Sequence, residues 1–143
     1  MAEHVLVAYD DSVQADHALR LALQEFDDAG RMTLLTIIDP ASAGYSRKLT
    51  IPSLPEEWYE ETKMAAEERL ATAERAAAQV GVDVDTEIVV GRPSRRIVAY
   101  AREHDVDHII TGSHGRSGVS RMLLGSVAEA VIRHANCPVT VVR

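Results

Sequence analysis

The sequence predicts an α/β fold: an open sheet of five parallel strands with helices on both faces, in a single domain over residues 1–143. Three observations predict it. Five short apolar runs rich in β-branched residues recur along the chain, with the near-continuous hydrophobicity of strands covered from both sides. Amphipathic helical segments separate them, and a crossover between successive strands sets those strands parallel. The chain has 143 residues, 46% of them hydrophobic and 26% charged, enough for one core that buries roughly 68–70% of the unfolded surface.

Residues 4–9 (HVLVAY) are apolar throughout and form the first, central strand. Asp10, Asp11 and Ser12 follow, and Asp11 or Ser12 caps a helix whose Ala15, Ala18, Leu19, Ala22, Leu23 and Phe26 share one face. Gly30 closes that region, and residues 32–38 (MTLLTII) make the second strand. From Asp39 to Pro55 the pattern breaks into proline, serine, glycine and threonine, a loop long enough to be functional. Residues 56–79 are rich in alanine and glutamate, with Ala66, Leu70, Ala73, Ala77 and Val80 on one helical stripe and Gly81 as the stop. Residues 82–90 (VDVDTEIVV) give the third strand. Gly91-Arg92-Pro93 then sets a proline at the start of a third helix, where its missing N–H costs little, and Ile97, Val98 and Ala101 face inward. Residues 108–111 (HIIT), a helix from Ser126 to His134 and residues 138–142 (PVTVV) complete the alternation.

Composition excludes several classes. A formal charge of −7 argues against duplex nucleic acid as a partner. The longest apolar run is about five residues against the roughly 20 of a membrane span, so no membrane is expected either. The N-terminus lacks the basic and apolar regions of a signal peptide, which predicts a cytoplasmic protein. Cys137 is the single cysteine and reads as a small core hydrophobe. His104 and His108 stand four apart, but Asp105-Val106-Asp107 breaks the helix between them and argues against a metal pair. Arg92, Arg95 and Arg96 read as a solvated basic face, and Trp58 and Tyr59 as anchors for the preceding loop.

The stretch from Thr111 to Ser126, TGSHGRSGVSRMLLGS, carries the chemistry. Ligands of open α/β sheets bind beyond the carboxyl ends of the strands, where successive connections leave for opposite faces. Gly112 ends the fourth strand, where the lack of a Cβ lets backbone approach a ligand; Gly115 and Gly118 suit a nest of amides; Gly125-Ser126 opens a helix whose free N–H groups favour phosphate. The competing reading is a capping box, Ser126 to Glu129, that explains Ser126 without a ligand. Familiar phosphate motifs do not fit. Gly112, Gly115 and Gly118 are spaced by three, unlike GxGxxG, and no lysine beyond Lys63 is left to complete a Walker A loop. Asp10-Asp11 is an acidic pair of the phosphoreceiver kind, yet Val89-Val90-Gly91 offers no aspartate to phosphorylate.

The spacing Gly112-x2-Gly115-x9-Gly125-Ser126 resembles the signature of the universal stress protein family, in its ATP-binding members. VLVAYDDS near the N-terminus, LLTIID, Gly91-Arg92-Pro93 and the closing PVTVV resemble that family in the expected order along the whole chain. The resemblance implies an adenine-nucleotide α-hydrolase-like, Rossmann-like fold with sheet order 3-2-1-4-5, and an intracellular protein linked to stress responses. It implies ATP as ligand: Asp10 at the nucleoside, Ile37 meeting adenine through its backbone, Gly112 near the ribose, and Gly115, Gly125, Ser126 and Val127 facing the phosphates. Ser12, His114, Arg116 and Ser117 are further candidates for ATP contacts. Asp11 stands where many relatives have glycine and Thr36 where many have histidine. An extra carboxylate beside a triphosphate calls for Mg²⁺ or Mn²⁺, or for Asp11 to turn away into the helix cap. The resemblance further implies a homodimer paired through the C-terminal strand.

The leading expectation is therefore a nucleotide-responsive regulatory or protective dimer acting on an unknown protein partner. A slow ATPase or phosphotransferase is the alternative, with only His114 and Asp10 as candidate catalytic groups and no lysine in the stretch. A ligand-free interaction module is the third.

Overall fold

Alternation along the strands divides the apolar side chains between two helical layers. The computed structural model describes residues 2–113 and 124–143. Its elements are β1 (His4–Ala8), α1 (Val13–Glu25), β2 (Arg31–Ile38), α2 (Glu56–Gln79), β3 (Asp85–Val90), α3 (Pro93–Glu103), β4 (His108–Gly112), α4 (Ser126–His134) and β5 (Val139–Val142), with short 3-10 turns at Pro40–Ala43 and Ile51–Ser53. Val5, Val7, Leu34 and Ile110 pack against Ala15, Ala18, Leu19 and Ala22 of α1 and Leu70, Ala73 and Ala77 of α2. Leu6, Leu35 and Ile109 face the other way, onto Ile97, Tyr100 and Ala101 of α3 and Val131 of α4. Each side is thus a helix pair on an apolar sheet face.

The strands are parallel throughout, in the order β3-β2-β1-β4-β5. Val7 aligns with Leu34 on one side and Ile110 on the other, so β1 is central as expected. The chain leaves β1 through α1 on one face and enters β4 from α3 on the other. The carboxyl ends of β1 and β4 therefore flank a crevice.

Several boundaries shift for local reasons. The ladder of β1 ends at Ala8, although the Tyr9 amide still donates to the Leu35 carbonyl at 2.8 Å. The third strand begins at Asp85 rather than at residue 82; Val82 and Val84 are buried ahead of the pairing. Pro138 has no N–H for a ladder, so β5 starts at Val139 while the Pro138 carbonyl accepts from the Ile109 amide. Val80 lies off the buried stripe of α2, 63% exposed at its C-cap. On α3 Tyr100 is buried and Val98 only half so. Of the two candidate caps for α1 it is Ser12 whose hydroxyl accepts from the Ala15 amide, at 3.1 Å.

The amino edge of the sheet is closed by polar pairing. His4, 6% exposed, donates from Nδ1 to the His104 carbonyl at 3.0 Å and shares a 2.9 Å hydrogen bond between Nε2 and Thr33 Oγ1. The Asp107 carboxylate accepts from the Glu3 amide at 2.8 Å and from the His4 amide at 3.4 Å. His104 stacks on Tyr100 and bonds its carbonyl, while His108 bonds Thr140 at 2.7 Å beside Phe26. Each of the two histidine rings is thus engaged in packing and hydrogen bonding.

Candidate functional site

At the opposite, carboxyl edge the strand ends open onto a cavity of about 330 Å³, within the roughly 300–1,000 Å³ typical of small-molecule sites. Strand ends and helices build it together. The end of β1 contributes Ala8, Tyr9 and Asp10; the end of β2 contributes Thr36, Ile37, Ile38 and Asp39; the end of β4 contributes Thr111, Gly112 and Ser113. Residues 125–128 supply the start of α4, and Thr62, Ala66 and Arg69 reach in from α2. Leu35, Pro93 and Ile97 add apolar wall.

Sequence reading and geometry meet here. Asp10, Ser12, Ile37, Gly112, Gly125, Ser126 and Val127 all line this one cavity, although they come from four separate stretches of the chain. Gly115, His114, Arg116 and Ser117 lie outside the described residues. The segment's two flanks are joined: the Gly125 amide donates to the Ser113 carbonyl and the Ser113 amide to the Val142 carbonyl, each at 2.7 Å.

The capping box does not form. Gly125 is the N-cap of α4, with φ −66° and ψ 156°, no side chain caps the helix, and Ser126 is its first helical residue. The Glu129 amide is satisfied by the Gly125 carbonyl, but the amides that precede it at the helix start have no intrahelical partner. Among the described residues these amides have no hydrogen-bond partner, and with the positive end of the helix they belong to residues that line the cavity. Gly112 has a packing reason of its own: a Cβ there would stand 2.7 Å from Gln14 Cβ, so the close approach it permits is first of all that of α1.

Asp10 is held locally. One of its oxygens accepts from the Ser12 amide at 2.9 Å and from the Ser12 hydroxyl, which fixes the carboxylate at the cavity wall. Thr36 donates to the Tyr9 carbonyl at 2.7 Å, tying β2 to β1 where they part. Tyr9 turns its hydroxyl to Asp16 at 2.6 Å; burial, with the bond to and the charge of Asp16, pushes its phenol above the ordinary value.

Asp39 was not singled out from sequence, and it organises the rim. Its carboxylate accepts a two-pronged bond from Arg47 at 2.9 and 2.8 Å and caps the 3-10 turn through the Ala41 amide. Burial raises its pKa, but Arg47, the Ala41 amide and the charge of Arg92 outweigh that and hold it below the usual value. Arg92 therefore acts on the rim, while Arg96 lies across Gly91, where a Cβ would stand 2.8 Å from Arg96 Cγ. Tyr45 meets Trp58 edge-on at 5.2 Å, anchoring this loop to α2. Burial pushes the Cys137 thiol up, in keeping with a packing role. Ala66 is legible in the sequence only as core, and Thr62 and Arg69, which share its helical face, carry no sequence signal for the cleft.

Fold and cavity together define a doubly wound α/β protein with a cleft at its topological switch point. The whole chain, residues 1–143, matches the model of the universal stress protein family, and it belongs to that family. A putative universal stress protein of Staphylococcus aureus is 34% identical over 99% of this chain and 84% of its own length. A universal stress protein of Methanocaldococcus jannaschii is 42% identical over 57% of this chain, which spans about half (48%) of that protein. The solved structure of UspA from Lactobacillus plantarum superposes with a TM-score of 0.84 at 27% identity, covering 98% of this chain and 97% of that one. Universal stress proteins solved with cAMP and with dAMP share the fold at 24% identity, with TM-scores of 0.70 and 0.66.

Proposed function

We propose that this chain binds ATP in the cleft at the ends of β1, β2 and β4 and works as a nucleotide-responsive regulatory or protective dimer. The observation that carries this reading is the uncapped start of α4 in the wall of a cavity of nucleotide-binding size. Asp10, preset by Ser12, faces the ribose; Ile37 meets adenine through its backbone, against the apolar wall of Leu35, Pro93 and Ile97. Gly112 lies by the ribose, and Gly125, Ser126 and Val127, with Gly115, take the phosphates. Ser12, His114, Arg116 and Ser117 add contacts. Mg²⁺ or Mn²⁺ travels with the triphosphate, held chiefly by phosphate oxygens. The stretch from Thr111 to Ser126 has no lysine to steady a transferring phosphoryl group, which favours binding over fast hydrolysis.

The sheet edge supports the symmetric dimer of this reading. β5 pairs with β4 on one side only, and its four residues are half-buried along their length. Such an apolar edge is a template for a second copy of the same strand.

The test is direct. Chain purified without added ligand and then denatured is expected to release an adenine nucleotide, identified by mass spectrometry. Added ATP with Mg²⁺ at a hundredfold excess over Kd should stabilise the fold by about 2.7 kcal/mol, read as a rise in melting temperature. No released nucleotide and no thermal shift would overturn the reading.

A further inference from the structure

Arg69 is, among the described residues, the one cation whose side chain lines the cleft. It arrives from the middle of α2 on the stripe of Thr62, Ala66 and Arg69, whose spacing of four and three places them on one helical face. Ala66 seals against the core at 1% exposure, so the helix lies close and carries the guanidinium inward. Its positive charge is felt at the Tyr9 phenol, which sets it beside the end of β1.

The neighbouring carboxylates are otherwise engaged. Both Asp39 oxygens are taken by the two-pronged bond of Arg47, one Asp10 oxygen by the amide and hydroxyl of Ser12, and one Asp16 oxygen by Tyr9. Among the described residues Arg69 makes no ion pair. Arg69 is half-buried, and its guanidinium offers donors in a fixed fork that matches phosphate. The amides at the start of α4 stand on the other face of the sheet from α2. A phosphate chain lying across the sheet edge meets both.

Resting on the nucleotide reading above, we propose that Arg69 is a binding residue for the phosphate chain of the nucleotide, gripping it from the α2 side opposite the amides of α4. The site is then two-sided: neutral backbone donors on one face, a side-chain cation on the other. It also follows that the cleft discriminates ligands by phosphate content, because Arg69 contributes nothing to a bare nucleoside.

Isothermal titration of the full chain with ATP and with adenosine, both in Mg²⁺, tests this in wild type, Arg69→Gln and Arg69→Lys. In Arg69→Gln, ATP should weaken by about tenfold or more, the loss of a charge-assisted hydrogen bond, while adenosine stays unchanged. Arg69→Lys keeps the charge without the fork and should fall between. Equal weakening of ATP and adenosine would assign Arg69 to the nucleoside and overturn the proposal; unchanged ATP affinity would overturn it too. If Arg69→Gln does not fold, as judged by circular dichroism, Arg69→Lys decides alone: ATP weakened severalfold against constant adenosine supports the assignment, and equal ATP affinity rejects it. A wild-type chain that binds neither ligand sinks the nucleotide reading itself, a result distinct from normal wild-type binding with an indifferent Arg69.

Discussion

The two ends of the sheet use polar residues in opposite ways. At the amino edge His4, Thr33 and Asp107 are paired with one another and with backbone: both His4 ring nitrogens have partners, and Asp107 takes two amides. At the carboxyl edge the first amides of α4 have no cap, Arg69 makes no described ion pair, and Asp10 is bound only by its neighbour Ser12. The amino-edge His4 and Thr33 are buried, whereas Asp10 and Arg69 are half-buried and Ser126 is exposed, so the two ends differ in burial as well as in pairing. One end spends its hydrogen bonds on stability; at the other, the first amides of α4 have no partner among the described residues. Substitutions at the two ends should therefore separate stability from affinity.

The largest effect is expected at the amino edge. His4→Ala removes two hydrogen bonds, leaves the buried Thr33 hydroxyl with the Tyr100 side chain as its remaining partner and opens a void beside it, at a cost of about 2–3 kcal/mol in urea unfolding. The additional stability conferred by saturating ATP should be unaffected, since the site lies at the far ends of the same strands. A variant that keeps its stability but loses ATP would erase the contrast.

Ser126→Ala probes the carboxyl edge from the other side. Because Gly125 is the N-cap and the Ser126 side chain caps nothing, the free chain should change by less than about 0.5 kcal/mol, where loss of a true cap would cost about 1 kcal/mol. ATP affinity, measured by titration, should fall about three- to tenfold if the hydroxyl bonds a phosphate oxygen. Destabilisation with unchanged affinity would return Ser126 to the role of a cap.

Ser126 also marks the limit of what was legible in the sequence. The alternation of β-branched runs with amphipathic segments specified the five strands, and the single-face stripes specified which alanines and leucines of α1 and α2 are buried. These are local periodicities, readable one element at a time. The capping box could not be settled that way, because Ser126 to Glu129 satisfies its pattern while the choice of cap depends on where the chain enters the helix: the Gly125 amide bonds the Ser113 carbonyl. Asp10 and Ile37 are legible through resemblance to a family pattern, and Gly112 also through its place at the end of the fourth strand. Arg69 and Asp39 follow no such pattern. Their place in the cleft depends on how α2 and the Asp39–Pro55 segment lie against the strand ends, which is a tertiary fact.

The smallest effect tests whether the amino edge stays structural when protonated. His108 is half-buried, with Nε2 bonded to Thr140 at 2.7 Å and its ring 4.7 Å from Phe26. Burial lowers its pKa from the usual 6.5 and the charge of Asp107 only partly opposes this. A histidine whose folded pKa lies below its unfolded one takes up its proton first in the unfolded chain. Its contribution to stability is then intact above about pH 6.5 and is lost as pH falls from there through the folded value. His108→Gln retains a hydrogen-bonding group for Thr140 but cannot titrate, so its stability should fall less steeply than wild type between pH 7.5 and 5.5 in parallel urea titrations. Nucleotide affinity at fixed pH should be the same in both. A steeper acid loss in the glutamine variant would mean that the folded chain stabilises the charged ring, and would make the amino edge a proton-sensitive element rather than a purely structural one.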